Sequence, residues 1–451
     1  MRVKKASVTT KAGLGNRFKT LVVEHPYLKV LRKKAVACVA DCPTFDGSVE
    51  QFLALPDFIR DASEPYLQTF VKENLHRLDR YEAKPVKESP WASNLILDQG
   101  LDQYCNNRNL ARVAEYCAVG TGTTATFTDS DAITVTIAEG TATSSSAFFT
   151  SGMVGMLLVT DDGTEQYITG FTSDQVVSVG GSNSATDQTF TVYAVNQTGL
   201  ASEVKRTNTY LSGEGNCGHT DVDNTRTCKR TYDFSTEVSN QNYTELGWSF
   251  SSTSSTNLFS RALVIGGTVT VLTGQQLRVV YEWSLTINPG TGGTPGTAEI
   301  DGWPVSPATS LDGDLYWVSG FNSFPGINTN GSANEPIGVS DVSSAMTTPC
   351  VGTGSTAPAT FASSFTVGSV MPTNYTNSSL EAYVTGSFER KRTAHITVDA
   401  GNSTSIRNIG MGGSTTNPRM IFIFDEAQTK ANTHTLDFTF SIKVNRILTN
   451  P

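Results

Sequence analysis

One group of residues in the sequence carries side chains that commonly bind metal ions: Cys217, His219, Asp221, Asp223 and Cys228. Thiolates and imidazoles are zinc ligands, and aspartates two residues apart occur in calcium loops. However, the spacing of the cysteines and the histidine fits no zinc pattern, and the glycine and glutamate of an EF-hand loop are missing. The sequence therefore favours a polar loop over a metal site, and we expect no cofactor.

Residues that could catalyse a reaction are present, but their spacing indicates no active site. The five histidines are scattered, and no serine lies in a Gly-x-Ser-x-Gly elbow. Asp312, Asp314, Asp425 and Glu426 could supply the carboxylate pair of a glycosidase, but a long chain always contains such acids. We therefore expect that the protein is not an enzyme, and a glycan depolymerase is the enzymatic alternative to test.

A glycine pair in the run Val-Gly-Thr-Gly-Thr-Thr at residues 119–124 has the Gly-x-Gly spacing of phosphate-binding loops. In those loops the glycines lead into a helix whose N-terminus faces the phosphate. Neither a helical period nor a βαβ pattern follows residue 124. The run is therefore predicted to be a turn.

Four aromatic residues fall in a Pro-, Gly- and Ser-rich part of the chain, residues 290–375: Trp303, Tyr316, Trp317 and Phe321. Aromatic rings in loops stack on sugars or anchor subunit interfaces. Packing of the loop against the core would explain them equally well. We treat the four as a candidate binding set for a host surface glycan.

Positive charge is concentrated near residue 1. The first 34 residues contain ten lysines and arginines and one acid, whereas the whole chain has a net charge of −9. The overall charge disfavours a general nucleic-acid binder, although a basic arm could touch nucleic acid or an acidic partner. We predict a docking arm that becomes ordered on assembly. Its candidate residues are Arg2, Lys4, Lys5, Lys11, Arg17 and Lys19.

The apolar residues before residue 118 have helical spacing. The predicted helices are 63–81, capped by Ser63, a shorter helix after Ser48 with Gln51 completing a capping box, and 95–105, capped by Ser93. Residues 1–118 are therefore predicted to form a partly helical, basic anchor region.

Beyond residue 116 the apolar period changes to the alternation of β-strands. Residues 119–200 are predicted as a small inserted β module, with Asp161-Asp-Gly as a hairpin turn. Residues 201–451 are predicted as a β-sandwich with a long loop insertion at 290–375. Residues 277–287 and 436–444 alternate most regularly and are expected to pair. The predicted fold is mainly β, with a sandwich core.

Two further features bear on the surface and on redox state. Arg390-Lys-Arg392 is expected on a solvated or edge-protecting face of a strand. The seven cysteines are expected to be reduced, and a Cys217–Cys228 disulfide is disfavoured because the chain begins without the apolar core of a signal peptide. No apolar stretch has the length of a membrane span.

Six segments resemble structural proteins of tailed bacteriophages, namely tail- and fibre-associated β proteins. They are Asn-Leu-Ile-Leu-Asp-Gln-Gly-Leu (94–101), Tyr-Cys-Ala-Val-Gly-Thr-Gly-Thr-Thr (116–124), Thr-Val-Tyr-Ala-Val-Asn-Gln-Thr-Gly (191–199), Lys-Arg-Thr-Asn-Thr-Tyr-Leu (205–211), Leu-Thr-Gly-Gln-Gln-Leu-Arg-Val-Val-Tyr (272–281) and Gln-Thr-Lys-Ala-Asn-Thr-His-Thr-Leu (428–436). The resemblance implies a virion component, made in the host cytoplasm, with a β-sandwich core and self-association. It transfers no site residues.

The leading hypothesis is therefore a structural component of a tailed-phage virion, in the tail, collar, baseplate or fibre. It would anchor through the N-terminal region and self-associate through its β domains, with other virion proteins as further partners. One alternative is a receptor-binding adhesin or fibre that recognises a host surface glycan. Another is a capsid-decorating or head-fibre protein.

Overall fold

The computed structural model describes residues 2–106, 115–211, 218–222, 225–253, 256–287, 294–298, 311–317, 348–355, 375–397, 403–414, 417–430 and 432–448. The helices in these ranges are α1 (Leu28–Ala37), α2 (Val49–Ala54), α3 (Asp57–Leu78) and α4 (Asp98–Asn106). The strands before residue 210 are β1 (Arg2–Glu24), β2 (Lys84–Glu88), β3 (Ala92–Ser93), β4 (Leu95–Ile96), β5 (Tyr116–Gly120), β6 (Phe127–Ala138), β7 (Thr141–Ser144), β8 (Leu157–Thr160), β9 (Glu165–Phe171), β10 (Val176–Gly180), β11 (Ala185–Tyr193) and β12 (Glu203–Thr207).

The later strands are β13 (Gly218–Val222), β14 (Thr225–Asp233), β15 (Gln241–Tyr243), β16 (Glu245–Ser249), β17 (Leu258–Leu263), β18 (Val269–Val271), β19 (Gln275–Ile287), β20 (Thr294–Ala298), β21 (Leu311–Trp317), β22 (Thr348–Gly352), β23 (Tyr375–Leu380), β24 (Glu389–Ile396), β25 (Ser403–Ser414), β26 (Asn417–Lys430) and β27 (His434–Arg446). The prediction of a mainly β fold is confirmed. No helix in the described part of the chain combines the length and apolar character that crossing a membrane requires.

The largest sheet has nine strands, and β1 lies inside it. Residues 12–24 of β1 pair antiparallel with β19, and residues 2–14 pair parallel with β27. The strong alternation predicted for 277–287 and 436–444 is confirmed in β19 and β27. The prediction that these two strands pair with each other is wrong, because β1 lies between them.

The basic N-terminal segment, residues 2–24, is thus a strand of this sheet, although the apolar spacing before residue 118 was interpreted as helical. Its even-numbered residues between 14 and 24 face the interior, and Leu14, Phe18 and Val22 are each at most 2% exposed. Because side chains alternate along a strand, the basic residues Arg17 and Lys19 fall on the opposite face. A spacing of four between the apolar residues fits a helix and a strand alike, which is why the helical interpretation failed here.

A shared hydrophobic core joins the nine-stranded sheet to two five-stranded sheets, β12-β5-β16-β17-β4 and β20-β21-β26-β25-β22. Trp248 of β16 stacks on Tyr281 of β19, with ring centroids 5.4 Å apart, and its Nε1 donates a hydrogen bond to the Tyr232 hydroxyl. These three sheets enclose one apolar layer and are together called the sandwich below. Strands β1, β4 and β5 contribute to it, although the sandwich was predicted within residues 201–451.

Strands β6 to β11 form a closed six-stranded barrel with its own hydrophobic core. The predicted inserted module therefore corresponds to this barrel. The Asp161-Asp-Gly turn joins β8 to β9 as expected, and Gly163 has a φ of +84°. The Asp162 carboxylate accepts hydrogen bonds from the Thr160 hydroxyl and the Thr164 N–H, which fixes the turn.

Helices α1 to α3 form a lobe with a separate apolar core, called the helical lobe below. Ser48 caps α2 by accepting a hydrogen bond from the Gln51 N–H, as predicted. The other half of the predicted capping box is wrong, because the Ser48 N–H donates to Asp46 and the Gln51 side chain accepts from the Asp46 N–H. Ser63 is not a cap: it is buried inside α3, and its hydroxyl donates to the Ile59 carbonyl. Ser93 lies in β3 and caps no helix, since α4 begins five residues later at Asp98.

A buried ion pair attaches the helical lobe to the nine-stranded sheet. Arg32 of α1 donates two hydrogen bonds, of 2.7 and 2.6 Å, to the two carboxylate oxygens of Glu24 at the end of β1. Gln275 of β19 donates a third to the same carboxylate at 3.1 Å. The bidentate geometry fixes the angle at which the chain leaves the sheet.

Candidate functional site

The six basic residues proposed for docking all lie on β1. Arg17 pairs with Glu282 of β19, and its guanidinium lies 4.7 Å from the centre of the Trp91 ring. Lys19 pairs with Glu88 of β2 and lies 5.3 Å from the same ring. Both cations therefore already have partners within the chain. Arg2, Lys4, Lys5 and Lys11 lie in the part of β1 that pairs with β27.

The candidate aromatic set is only partly within the described residues. Tyr316 and Trp317 belong to β21, where their backbones pair with Ile421 and Met420 of β26. Trp303 and Phe321 lie outside the described residues. The glycan-binding prediction for this set stays a prediction.

Three of the candidate metal residues lie on the hairpin of β13 and β14, where His219 is opposite Cys228 and Asp221 is opposite Arg226. Cys217 and Asp223 lie outside the described residues, so the disulfide prediction is untested. Across the ranges that the structure describes, no three His, Cys, Asp or Glu side chains converge as metal ligands would.

The basic run at residues 390–392 is not a solvated face. Arg390 and Arg392 of β24 are only 4% and 7% exposed, and the Arg390 guanidinium lies 5.7 Å from the centre of the Tyr383 ring. Lys391, which points to the opposite face of the strand, is the exposed member and pairs with Glu389. The prediction failed because alternation on a strand splits a run of three residues between two faces.

A buried carboxylate site, which no sequence pattern indicates, is built around Glu245 of β16. The Glu245 side chain accepts hydrogen bonds from the N–H groups of Gly122, Ala201 and Ser202, at 2.9, 3.0 and 2.7 Å. It also pairs with Arg261 of β17 at 2.7 Å. The Gly-x-Gly run does therefore line an anion, but the anion is the chain's own carboxylate.

Burial alone would raise the pKa of Glu245. The hydrogen bonds from the Ser202 N–H, Arg261 and the Ala201 N–H outweigh burial, and the pKa lies below its ordinary value. Arg261 also donates to the Gln197 side chain at 2.7 Å, just after the last barrel strand. The cluster thus ties the two ends of the barrel insertion to the sandwich, and its role is structural.

An open cleft lies between the barrel and the end of β27. It has a volume of about 430 Å³. Its polar and charged lining residues are Glu165, Tyr167, Asn183, Ser387, Lys443, Asn445 and Arg446, and Leu101, Leu157, Gly163, Gly386, Phe388 and Val444 complete the wall. We call this space the barrel cleft.

Asp98 at the start of α4 organises one wall of the barrel cleft. Its Oδ1 accepts hydrogen bonds from the Tyr167 hydroxyl at 2.8 Å and from the Arg446 guanidinium. Burial raises the pKa of Tyr167 to about 12, so its phenol stays protonated and donates. The contact joins the barrel, α4 and β27, because each of the three residues comes from a different element.

A tight turn before β24 forms the part of the barrel cleft wall next to Arg446, whose guanidinium lies 5.7 Å from the centre of the Phe388 ring. Phe388 has a φ of +52°, a left-handed conformation that is rare for a bulky side chain. Asp102 of α4 holds the turn by accepting hydrogen bonds from the Tyr383 hydroxyl and the Gly386 N–H, at 2.5 and 2.7 Å. Backbone strain of this kind persists only where the surroundings impose it.

A second surface feature lies on the helical lobe. Leu53, Phe58 and Tyr66 are 52%, 74% and 44% exposed, and Ala62 of α3 lies between the last two at helical spacing. We call these four residues the lobe patch. The acids Glu50, Asp57 and Asp61 are exposed beside it along the chain, whereas the exposed residues of α1 include Lys29, Lys33 and Lys34.

Comparison with known proteins found no match: no family model, no curated protein and no solved structure is similar to this chain.

Proposed function

We propose that the chain is a structural subunit of a tailed-phage particle, in the tail, collar, baseplate or fibre, and that it self-associates. The six segments that resemble phage structural proteins support this assignment. The single structural observation that carries self-association is the lobe patch.

The lobe patch gives α3 two apolar faces. Leu67, Val71 and Leu78 face the core of the helical lobe. Phe58, Ala62 and Tyr66 face outward. A helix that is apolar on both sides is normally covered on both, and a cluster of large exposed apolar side chains marks an interaction site. The outward face therefore needs a partner.

A second copy of the chain fits this requirement by charge. Asp57 and Asp61 already pair with Arg60 of the same helix, so Glu50 is the acid beside the lobe patch of one copy that complements the lysines on α1 of another. Because the two surfaces are different parts of the lobe, such a contact is heterologous and generates a ring or a stack, as phage tails and collars require. Opposite charges would set the register, and the apolar residues would supply most of the affinity.

The test compares the masses of the wild-type chain and the Leu53→Ser/Phe58→Ser double variant by light scattering across a range of concentrations. We expect wild type to form a concentration-dependent oligomer and the variant to shift toward the monomer. Val204→Ser/Phe171→Ser, which changes two apolar side chains with 44% and 41% exposure on other surfaces, serves as the control. A wild-type monomer at every concentration would contradict self-association.

The phage assignment itself needs a separate measurement. Immunogold electron microscopy of the source particles, with an antibody to the barrel, should label the tail, collar or baseplate. Label over the head would favour the capsid-decorating alternative. Particles without label, when the antibody binds the isolated chain and peptide mass spectrometry finds none of it in the particles, would overturn the assignment.

A further inference from the structure

We infer that the barrel cleft is a carbohydrate-binding site that takes one or two sugar units of a glycan. This inference does not depend on where the protein sits or on whether it self-associates. It locates a glycan site away from the aromatic set considered in the sequence.

The size of the barrel cleft suits a small polar ligand. Its volume of about 430 Å³ falls in the usual range of ligand sites, roughly 300–1,000 Å³. The cleft lies where barrel, helix α4 and sandwich meet, and junctions between modules are a preferred location for binding sites. A folded partner would not enter a space of this size.

The lining chemistry selects a hydroxyl-rich ligand. Asn183 and Asn445 each offer both a donor and an acceptor, Glu165 offers acceptors, and Lys443 offers donors. A sugar hydroxyl donates and accepts at once, so it can use all of these groups. The Phe388 ring is partly buried against the main core, and the Arg446 guanidinium lies 5.7 Å from its centre. The part of the ring that remains exposed in the cleft offers an aromatic surface for the C–H face of a pyranose.

The charges in the barrel cleft are balanced, which argues against a polyanion. Arg446 is already paired with Asp98, and the remaining charged lining residues are one anion, Glu165, and one cation, Lys443. Nucleic acid needs a surplus of cations along its backbone. An uncharged or weakly charged saccharide needs no surplus of cations.

The walls of the barrel cleft are held in place before any ligand binds. Asp98 fixes Tyr167 and Arg446, and Asp102 fixes the neighbouring turn that carries Phe388. The Phe388 carbonyl also accepts a hydrogen bond from the Val444 N–H at 2.8 Å. Pre-ordered side chains lose little entropy on binding, which matters for a weak ligand such as a sugar.

The experiment applies the full chain to an array of neutral, N-acetylated and uronic-acid glycans, because array density makes weak binding detectable. The oligosaccharide that binds most strongly on the array is then titrated into the protein in a calorimeter. The cleft variant Glu165→Gln/Asn183→Ala changes two exposed lining residues, and Phe388→Asn removes the ring with a residue that tolerates positive φ. The matched control is Glu139→Gln/Asn242→Ala, which changes exposed residues outside the cleft.

We expect binding to at least one glycan class, at least a tenfold loss of affinity in each cleft variant, and wild-type affinity in the control. A chain that binds no glycan on the array overturns the inference. So does a chain whose cleft variants bind as tightly as wild type, because the sugar would then sit elsewhere. Light scattering on the same samples reports self-association separately, so the two proposals can fail independently.

Discussion

Gly120 and Gly122 lie where a side chain would collide with the carboxylate site. A Cβ on Gly120 would come within 2.3 Å of the Ser202 carbonyl oxygen, and one on Gly122 within 2.3 Å of a Glu245 carboxylate oxygen. The local sequence indicates a turn but gives no sign of the carboxylate. Glu245 lies more than 120 residues away, and only tertiary structure brings it to the glycines.

We expect Gly120→Ala to lower the free energy of unfolding by about 1–3 kcal/mol or more, because the backbone it meets cannot move aside cheaply. Urea titration followed by tryptophan fluorescence measures the loss. Gly152→Ala is the control, since the nearest atom to its Cβ is 3.8 Å away. Equal stability of the two variants would contradict the close approach.

We expect Glu245→Gln to destabilise the protein by about 3–5 kcal/mol at pH 7, because it leaves the Arg261 charge buried without its partner. The folded-state pKa of Glu245 is lowered, so its contribution is complete above the unfolded-state pKa and is lost as pH falls through the folded-state value. The difference between variant and wild type should therefore shrink in acid. Urea titrations from pH 7 down to pH 3 test this, with the exposed Glu139→Gln as control.

Thiol reactivity should follow burial. Burial raises the pKa of Cys350 to about 12 and also raises the pKa of Cys105 and of Cys117, which suppresses the reactive thiolate. Cys38 is exposed and Cys42 partly so. Iodoacetamide at pH 8 followed by peptide mass spectrometry should label Cys38 and Cys42 in the native protein and the other three only after unfolding. Rapid native labelling of Cys117 would contradict the packing around β5.

At the scale of elements, regular alternation made β19 and β27 predictable to within two residues at each end. Alternation depends on neighbours along the chain, so sequence carries it directly. Strand pairing does not depend on neighbours along the chain, because the residues of β1 pair with residues of β19 and β27 that are hundreds of positions away. The barrel cleft was unpredictable for the same reason, since barrel, α4, the β24 turn and β27 each supply part of it.

The position of β1 inside the sheet predicts the effect of a core substitution. Phe18→Ala should cost about 3–5 kcal/mol, because its ring is 1% exposed and packs on Tyr281. Val86→Ala, on the exposed strand β2 that pairs with β1, should change stability by no more than about 0.5 kcal/mol. Thermal unfolding followed by circular dichroism compares them. A detachable arm would instead tolerate both substitutions.

On the scale of the whole molecule, the amino-acid composition and the period of the apolar residues were enough to predict a mainly β chain with an inserted β module. The order of strands in the nine-stranded sheet was not predictable, because many pairings satisfy the same alternation. Of the helical lobe, α2 and α3 were predicted, but α1 and the uncovered apolar face were not. Its outer residues, Phe58, Ala62 and Tyr66, look like a second core stripe in sequence, and only the fold shows that they are exposed.

Placing β1 between β19 and β27 has a consequence for biosynthesis. A ribosome releases β1 long before it makes β19 or β27, so early strand partners exist only for residues 17, 18 and 21–24, which also pair with β3 and β2. The barrel and the helical lobe, whose contacts are closer in sequence, can fold in the meantime. The nine-stranded sheet closes only when residues 434–446 emerge. A chain terminated before residue 434 would therefore lack the parallel partner of β1 and would expose the unpaired backbone of residues 2–11.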